Sequence, residues 1–217
     1  MPLFYQHTIN ETTKLGIWHI EEGEDFFLAK VPLQKNITHP HKRLQHLAGR
    51  YLLPCLFNDF PYTEILIADT KKPYLPGEQY HFSISHCGDY AAAIVSSTGR
   101  VGVDIEIPSE KVERVAHKFL NEVECMHLSI EHSPQSIGEN PSTVTRQLLT
   151  VLWSAKESLF KWYSLGKVDF RGHIQLCGMI QQKNNSLLLP FVFKKNEPLH
   201  INVTARIFDE IVLSWVA

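Results

Sequence analysis

Residues 14–20 place Leu15, Ile17 and His19 on one face and Gly16, Trp18 and Ile20 on the other, and this period of two predicts a strand. A polar turn is expected at 21–25. Thr38–Pro40 is expected to open a helix running to about Phe57, in which Leu44, Leu47, Ala48, Tyr51 and Leu52 recur at amphipathic three-to-four spacing. A short strand is expected at 64–68, then a basic loop at Lys71-Lys72-Pro73. Three strand segments follow at 81–85, 90–96 and 100–107. Cys87-Gly88-Asp89 supplies a tight turn between the first two. Ser109 reads as a helix N-cap with Glu110 inside it. That helix carries Val112, Val115, Ala116 and Phe119 and is expected to run, with interruptions, to about residue 130. Pro134, Gly138 and Pro141 mark residues 131–143 as a loop. A long helix is predicted from 144 to 165, stopped at Gly166. Strands are expected at 173–180, 186–193, 201–207 and 211–216, with Asn184-Asn185 as a turn.

Each half of this order offers strands around helices, with a join near Gly99. Two α/β halves, 1–99 and 100–217, therefore suit the length of 217 residues, and the fold class expected is α+β. With 44% hydrophobic and 20% charged residues the composition is that of a globular protein, which excludes a disordered chain. Twenty-one Lys and Arg against 23 Asp and Glu give a net charge of −2, which argues against a nucleic-acid partner. The first seven residues lack a basic segment followed by an apolar run. The longest apolar stretches, 91–95 and 187–193, fall far below the ~18 residues a membrane span needs. A cytoplasmic protein with its four cysteines reduced is expected, with no membrane partner. Twelve histidines suggest a metalloenzyme, but neither H-E-x-x-H nor zinc-finger spacing is present. His39, His41 and His46, near the start of the first long helix, are expected at the surface or as caps.

Three segments carry candidate chemistry. In Val101-Gly102-Val103-Asp104-Ile105-Glu106-Ile107 the alternation puts Gly102, Asp104 and Glu106 on one face. Two carboxylates there describe either a solvated strand face or a site for a hard cation such as Mg²⁺. In Trp153-Ser154-Ala155-Lys156-Glu157-Ser158-Leu159-Phe160-Lys161, Glu157 and Lys161 are four apart on one helical face. A surface ion pair is the plain reading. The crowding of Leu159, Phe160, Trp162 and Tyr163 makes the helix largely buried and favours a site instead. Phe82-Ser83-Ile84-Ser85-His86-Cys87 places a hydroxyl beside an imidazole at a strand end. Without a G-x-S-x-G elbow, phosphate binding suits it better than hydrolysis, with Lys71 and Lys72 close upstream.

Taken in order, Lys72-Pro73, Ser85-His86, Gly102-Val103-Asp104-Ile105-Glu106 and Trp153 to Lys161 resemble the 4′-phosphopantetheinyl transferases. The resemblance runs from about Arg43 to Lys161. The length is similar to the two-half, surfactin-synthetase-activating type. It implies a pseudo-twofold pair of α/β halves with the active site between them, and a monomer is expected. The implied reaction moves the 4′-phosphopantetheine arm of coenzyme A onto a serine hydroxyl of an apo acyl or peptidyl carrier protein. Adenosine 3′,5′-bisphosphate is the leaving group.

The same resemblance assigns roles residue by residue. Asp104, Glu106 and Glu157 would hold Mg²⁺ on the pyrophosphate. Lys161 would offset charge on the leaving phosphate. Phe119-Leu120-Asn121-Glu122-Val123-Glu124 resembles the family's F-x-x-x-x-E stretch, which makes Glu124 a candidate general base and Glu157 its rival. A plain surface glutamate is the other reading of Glu124. The 3′-phosphate of coenzyme A would sit against Lys72, Ser85 and His86, with Arg43 or Arg50 assisting. Lys156 matches the motif as a further coenzyme A contact. Cys87 departs from the Ser or Thr the family often has after the histidine.

Overall fold

The computed structural model describes residues 3–33, 37–127 and 143–217. It is mixed α+β, and its backbone falls into two compact units. The first comprises Met1–Ile105 with Lys161–Ser164 and Ala217; the second comprises Glu106–Phe160 and Leu165–Val216.

The first unit is built on an antiparallel sheet. Its strands are β1 (Leu3–Asn10), β2 (Thr13–His19), β5 (His81–Cys87) and β6 (Tyr90–Ser96), in the order β1-β2-β6-β5. A two-stranded ribbon, β3 (Leu66–Ile67) with β4 (Pro73–Tyr74), stands apart from it. Two helices complete the unit, α1 (Glu24–Leu28) and α2 (Pro40–Leu56). The apolar stripe of α2 is buried as its spacing demands. Leu47, Ala48, Leu52, Leu53 and Leu56 enter one core with Trp18, Phe27, Ala91, Ala93 and Val95. Gly49 lets α2 approach β5, since a Cβ there would stand 2.6 Å from Ile84 Cγ2. His39 caps α2, its ring accepting from the Lys42 N–H, as the capping expectation had it.

Strand β7 (Gly102–Glu106) carries the chain into the second unit. Helices α3 (Glu110–Phe119), α4 (Glu122–His127) and α5 (Thr143–Tyr163) follow, then β8 (Ile174–Leu176), β9 (Gln181–Lys183), β10 (Ser186–Phe193), β11 (Leu199–Ile207) and β12 (Val212–Val216). The last strands run antiparallel in the order β12-β11-β10-β8, with β9 paired to β10. Leu149, Leu152, Ala155 and Leu159 of α5 are completely buried. The Ser154 and Ser214 hydroxyls meet at 2.7 Å and tie α5 to β12.

Most predicted elements are present, and the departures have local causes. β1 was not expected because its polar residues face water on both sides, as an edge strand allows. Residues 24–25 open α1 rather than closing a turn. The helix expected from Ser109 breaks after Phe119 because Asn121 starts a new one: its side chain accepts from the Glu124 N–H at 2.9 Å. α5 ends at Tyr163, before the expected 165, because Ser164 takes a left-handed φ of 71°. The expected helix end near 130 and nearly all of the loop 131–143 lie outside the described residues. Among the described residues no helix is long and apolar enough to cross a membrane.

Candidate active site

In the first unit, the alternation of β5 aims Ser83 and Ser85 to one side. Ser83 Oγ accepts from the Val103 N–H at 3.2 Å, and Ser85 Oγ donates to Asp104 Oδ1 at 2.9 Å. Two segments are thereby stitched together: the strand end that carries the serine–histidine pair and the carboxylate face of β7. Lys161, in the last turn of α5, closes the group. Its Nζ donates to Asp104 Oδ1 at 2.7 Å and to Ser85 Oγ at 2.8 Å. Asp104 is only 3% exposed, so the solvated-face reading of this strand fails there. A carboxylate this deep requires a counter-charge, and Lys161 supplies it.

His86 follows Ser85 at the surface. Desolvation, then the nearby Lys161 ammonium, lower its imidazole pKa below the ordinary value, so the neutral ring is favoured. Lys72 leaves the β3–β4 turn half-buried. Its Nζ donates to the Lys161 carbonyl and to Ser164 Oγ, both at 2.5 Å. Burial first, then the Arg100 and Lys161 charges, bring its pKa down to about 8. Arg43 points elsewhere, onto Glu24 at 2.6 Å and the Ile37 carbonyl at 3.1 Å. Arg50 is buried within α2 at 5% exposure, and desolvation lowers its pKa.

The second unit holds a different cluster. Glu124 and Lys156 are both completely buried and pair at 2.7 Å. The surface-glutamate reading of Glu124 is thus overturned. One of its oxygens accepts the Leu176 N–H at 2.8 Å and the other the Asn121 N–H at 2.9 Å. With the Asn121 side chain accepting the Glu124 N–H, this is a reciprocal N-terminal cap. Lys156 Nζ also donates to the Phe119 carbonyl at 2.6 Å and the Phe170 carbonyl at 3.1 Å. Its three protons are directed at protein acceptors and none at solvent. Burial pushes Lys156 below its ordinary pKa, against the pull of Glu124. Nearby on α5, Trp153 Nε1 donates to Glu106 Oε1 at 3.0 Å, with its indole between the rings of Phe119 and Phe170. Glu157 is half-buried, one turn before Lys161.

Asp104, Glu106 and Glu157 offer oxygen donors only, and Asp104 already balances a positive charge. Carboxylate oxygens are the donor type that a hard divalent cation takes. Among the described residues, no three His, Cys, Asp or Glu side chains stand together as a ready metal cluster.

Residues 100–211, just over half of the chain, match the model of the 4′-phosphopantetheinyl transferase superfamily. The chain belongs to that superfamily. The matched span includes Asp104, Glu106, Glu124, Lys156, Glu157 and Lys161. Relatives in the superfamily include the 4′-phosphopantetheinyl transferase AcpT of Escherichia coli K12, 28% identical over 123 residues. That alignment covers 55% of this chain and 57% of AcpT. AcpT of Salmonella typhi is 31% identical over 125 residues, covering 55% and 58%. Enterobactin synthase component D of Escherichia coli K12 is 30% identical over 123 residues, covering 55% and 54%. The chain thus spans a little over half the length of these superfamily members.

Of the positions singled out in the sequence, the structure brings Ser85, Asp104 and Lys161 together and joins Lys72 to the same helix end. It joins Glu124 to Lys156 separately. Ser164, Ser83 and Asn121 were not anticipated. Only Asn121 carried a sequence signal: Asn followed three residues later by Glu has the spacing of a reciprocal cap.

Proposed function

We propose that this chain transfers the 4′-phosphopantetheine arm of coenzyme A to a serine hydroxyl of an apo carrier protein and releases adenosine 3′,5′-bisphosphate. The observation that carries this reading is the superfamily match across the two carboxylate- and lysine-bearing segments, with Lys161 seated on Asp104 and Ser85. The two-half, surfactin-synthetase-activating subtype and its pseudo-twofold halves belong to the same proposal.

The carrier serine oxygen attacks the pyrophosphate phosphorus that bears the pantetheine arm. A new P–O bond forms there, and the bond to the adenosine 3′,5′-bisphosphate oxygen breaks. Such transfers depend mainly on positioning and charge neutralisation. Asp104, Glu106 and Glu157 would hold Mg²⁺, which supplies charge neutralisation at the pyrophosphate. Lys161 faces negative charge as it grows on the leaving phosphate. Ser85, by releasing Asp104, and the neutral imidazole of His86 present donors to the 3′-phosphate of coenzyme A. Arg43 and Arg50 remain candidates to assist, Arg43 by releasing Glu24. The serine proton passes to Glu157, because both oxygens of Glu124 are engaged by donors and out of reach of solvent. Glu124 and Lys156 act as an internal brace.

The test is direct. The protein is incubated with Mg²⁺, coenzyme A and each of several apo carrier proteins, and the carrier mass is recorded. A gain of one phosphopantetheine arm is expected on at least one carrier. Coenzyme A binding without any gain would replace the reading with that of a non-catalytic binder.

A further inference from the structure

We propose that Lys72 is a positioning residue, whose ammonium clamps the C-terminal end of α5 and thereby holds the Lys161 side chain on Asp104 and Ser85. The proposal rests on the transferase reading for its catalytic consequence, though not for the clamp itself.

The geometry starts from the helix end. The last carbonyls of a helix lack intrahelical partners and carry the negative end of its dipole. Lys161 is the third residue from the end of α5, and its carbonyl is one of these. Ser164 turns left-handed directly after the helix and folds its Oγ back towards the carbonyls of Lys161 and Trp162, at 3.2 and 3.0 Å. Lys72 Nζ reaches the same carbonyl and the same hydroxyl. Carbonyl, hydroxyl and ammonium thus form one closed group at the helix terminus.

Lys72 is delivered there by a tight turn. The Lys71 N–H bonds the Ala68 carbonyl at 2.8 Å, the Ala68 N–H bonds the Lys72 carbonyl at 2.9 Å, and Lys71 sits at a φ of 65°. Pro73 then starts β4 and restricts the backbone of Lys72. The ammonium therefore meets its acceptors from a constrained base. Because it holds the backbone of Lys161 itself, the clamp sets where the Lys161 side chain begins. A slack last turn would let that side chain drift from Asp104 Oδ1 and Ser85 Oγ, and misplaced catalytic groups lose rate rather than binding. The positive charge so close to Lys161 is tolerated because the helix end and the Asp104 carboxylate offset it.

Lys72→Met and Lys72→Arg are compared with the wild type in two measurements. The first is amide hydrogen exchange of the free protein in the last turn of α5. Exchange there rises about tenfold in Lys72→Met, the scale of one charge-assisted hydrogen bond, and returns towards wild type in Lys72→Arg. The second is steady-state transfer with coenzyme A and with 3′-dephospho-coenzyme A. kcat falls about tenfold for both substrates in Lys72→Met, KM changes less than about threefold, and Lys72→Arg restores much of the rate. Should Lys72→Met instead leave exchange unchanged and raise KM for coenzyme A alone, Lys72 is a phosphate ligand and the proposal is wrong. Should the wild type transfer nothing, the exchange result still decides the clamp, and only the transferase reading fails. Ser164→Gly, which removes the hydroxyl and suits the left-handed backbone, is a second probe. It gives a smaller rise in exchange of the same last turn.

Discussion

Two lysines five residues apart on α5 each sit 2.7 Å from a carboxylate, and the two pairs are not equivalent. Lys156 and Glu124 are 0% exposed at both side chains, whereas Lys161 is 24% exposed and its partner Asp104 5%. The sealed pair is fenced by backbone: two carbonyls accept from Lys156 and two N–H groups donate to Glu124. Every lone pair and proton has a protein partner, so the group cannot trade partners without unfolding its surroundings. The open pair shares the Ser85 hydroxyl. Its ammonium keeps contact with water. Similar distances therefore serve two ends, and burial with backbone fencing separates them. A fully enclosed ion pair braces a structure, while one left partly wet remains available for chemistry.

The largest effect expected from this contrast is on stability. Glu124→Ala leaves a buried ammonium with no counter-charge and removes one half of the reciprocal cap of α4. A loss of about 3–5 kcal/mol is expected, the range for breaking a buried pair from one side. Chemical denaturation measures it. Replacing both partners, as in Glu124→Leu with Lys156→Met, is expected to recover much of that loss, because no orphaned charge remains. A Glu124→Ala protein within about 1 kcal/mol of wild type would contradict the brace.

Asp104→Asn reverses the pattern. It keeps the shape and an acceptor for Lys161 and Ser85 but removes the negative charge. Stability changes little, while transfer to a carrier falls more than about 100-fold, at or beyond the loss typical for the outer partners of a metal ligand. The comparison breaks if Asp104→Asn unfolds the protein as readily as Glu124→Ala, or if it transfers at the wild-type rate. Mg²⁺ binding measured by calorimetry on the same variant gives a readout apart from activity, and weaker binding is expected.

Much of the fold was legible because periodicity reports burial. The α2 stripe, the β5–β6 hairpin around Gly88 and the bounds of β10 follow from spacing and turn residues alone. β1 and β9 escaped because strands exposed on both faces have no period to show. Within the site, the segments were visible as motifs, but their partners were not. Lys156 finds Glu124 across 32 residues and Lys72 finds Lys161 across 89, and no local pattern encodes such pairings. The apolar crowding on α5 marked its charged residues as a candidate site, without saying which lysine would be sealed in. A surface role for Glu124 failed for this reason. The residue caps a short helix, and that cap turns its carboxylate inward.

The smallest expected effect concerns Lys72, which resembles the sealed pair in its backbone acceptors and the open one in its partial exposure. Its pKa of about 8 in the folded protein lies below the 10.5 of a free lysine, through burial and then the Arg100 and Lys161 charges. Between those values the unfolded chain binds more protons than the folded one, so stability rises with pH across that window. Below pH 8 both states are protonated and the full cost of charging Lys72 is felt; by pH 10 most of it is relieved. With partial exposure screening the effect, the gain is on the order of 1–2 kcal/mol. Other groups titrate in the same range, so the quantity to measure is the difference between wild type and Lys72→Met in urea midpoints from pH 7.5 to 10. The wild-type curve is expected to climb relative to the variant. Parallel curves would mean that Lys72 keeps its ordinary pKa, its acceptors at the end of α5 offsetting the burial of the ammonium in full.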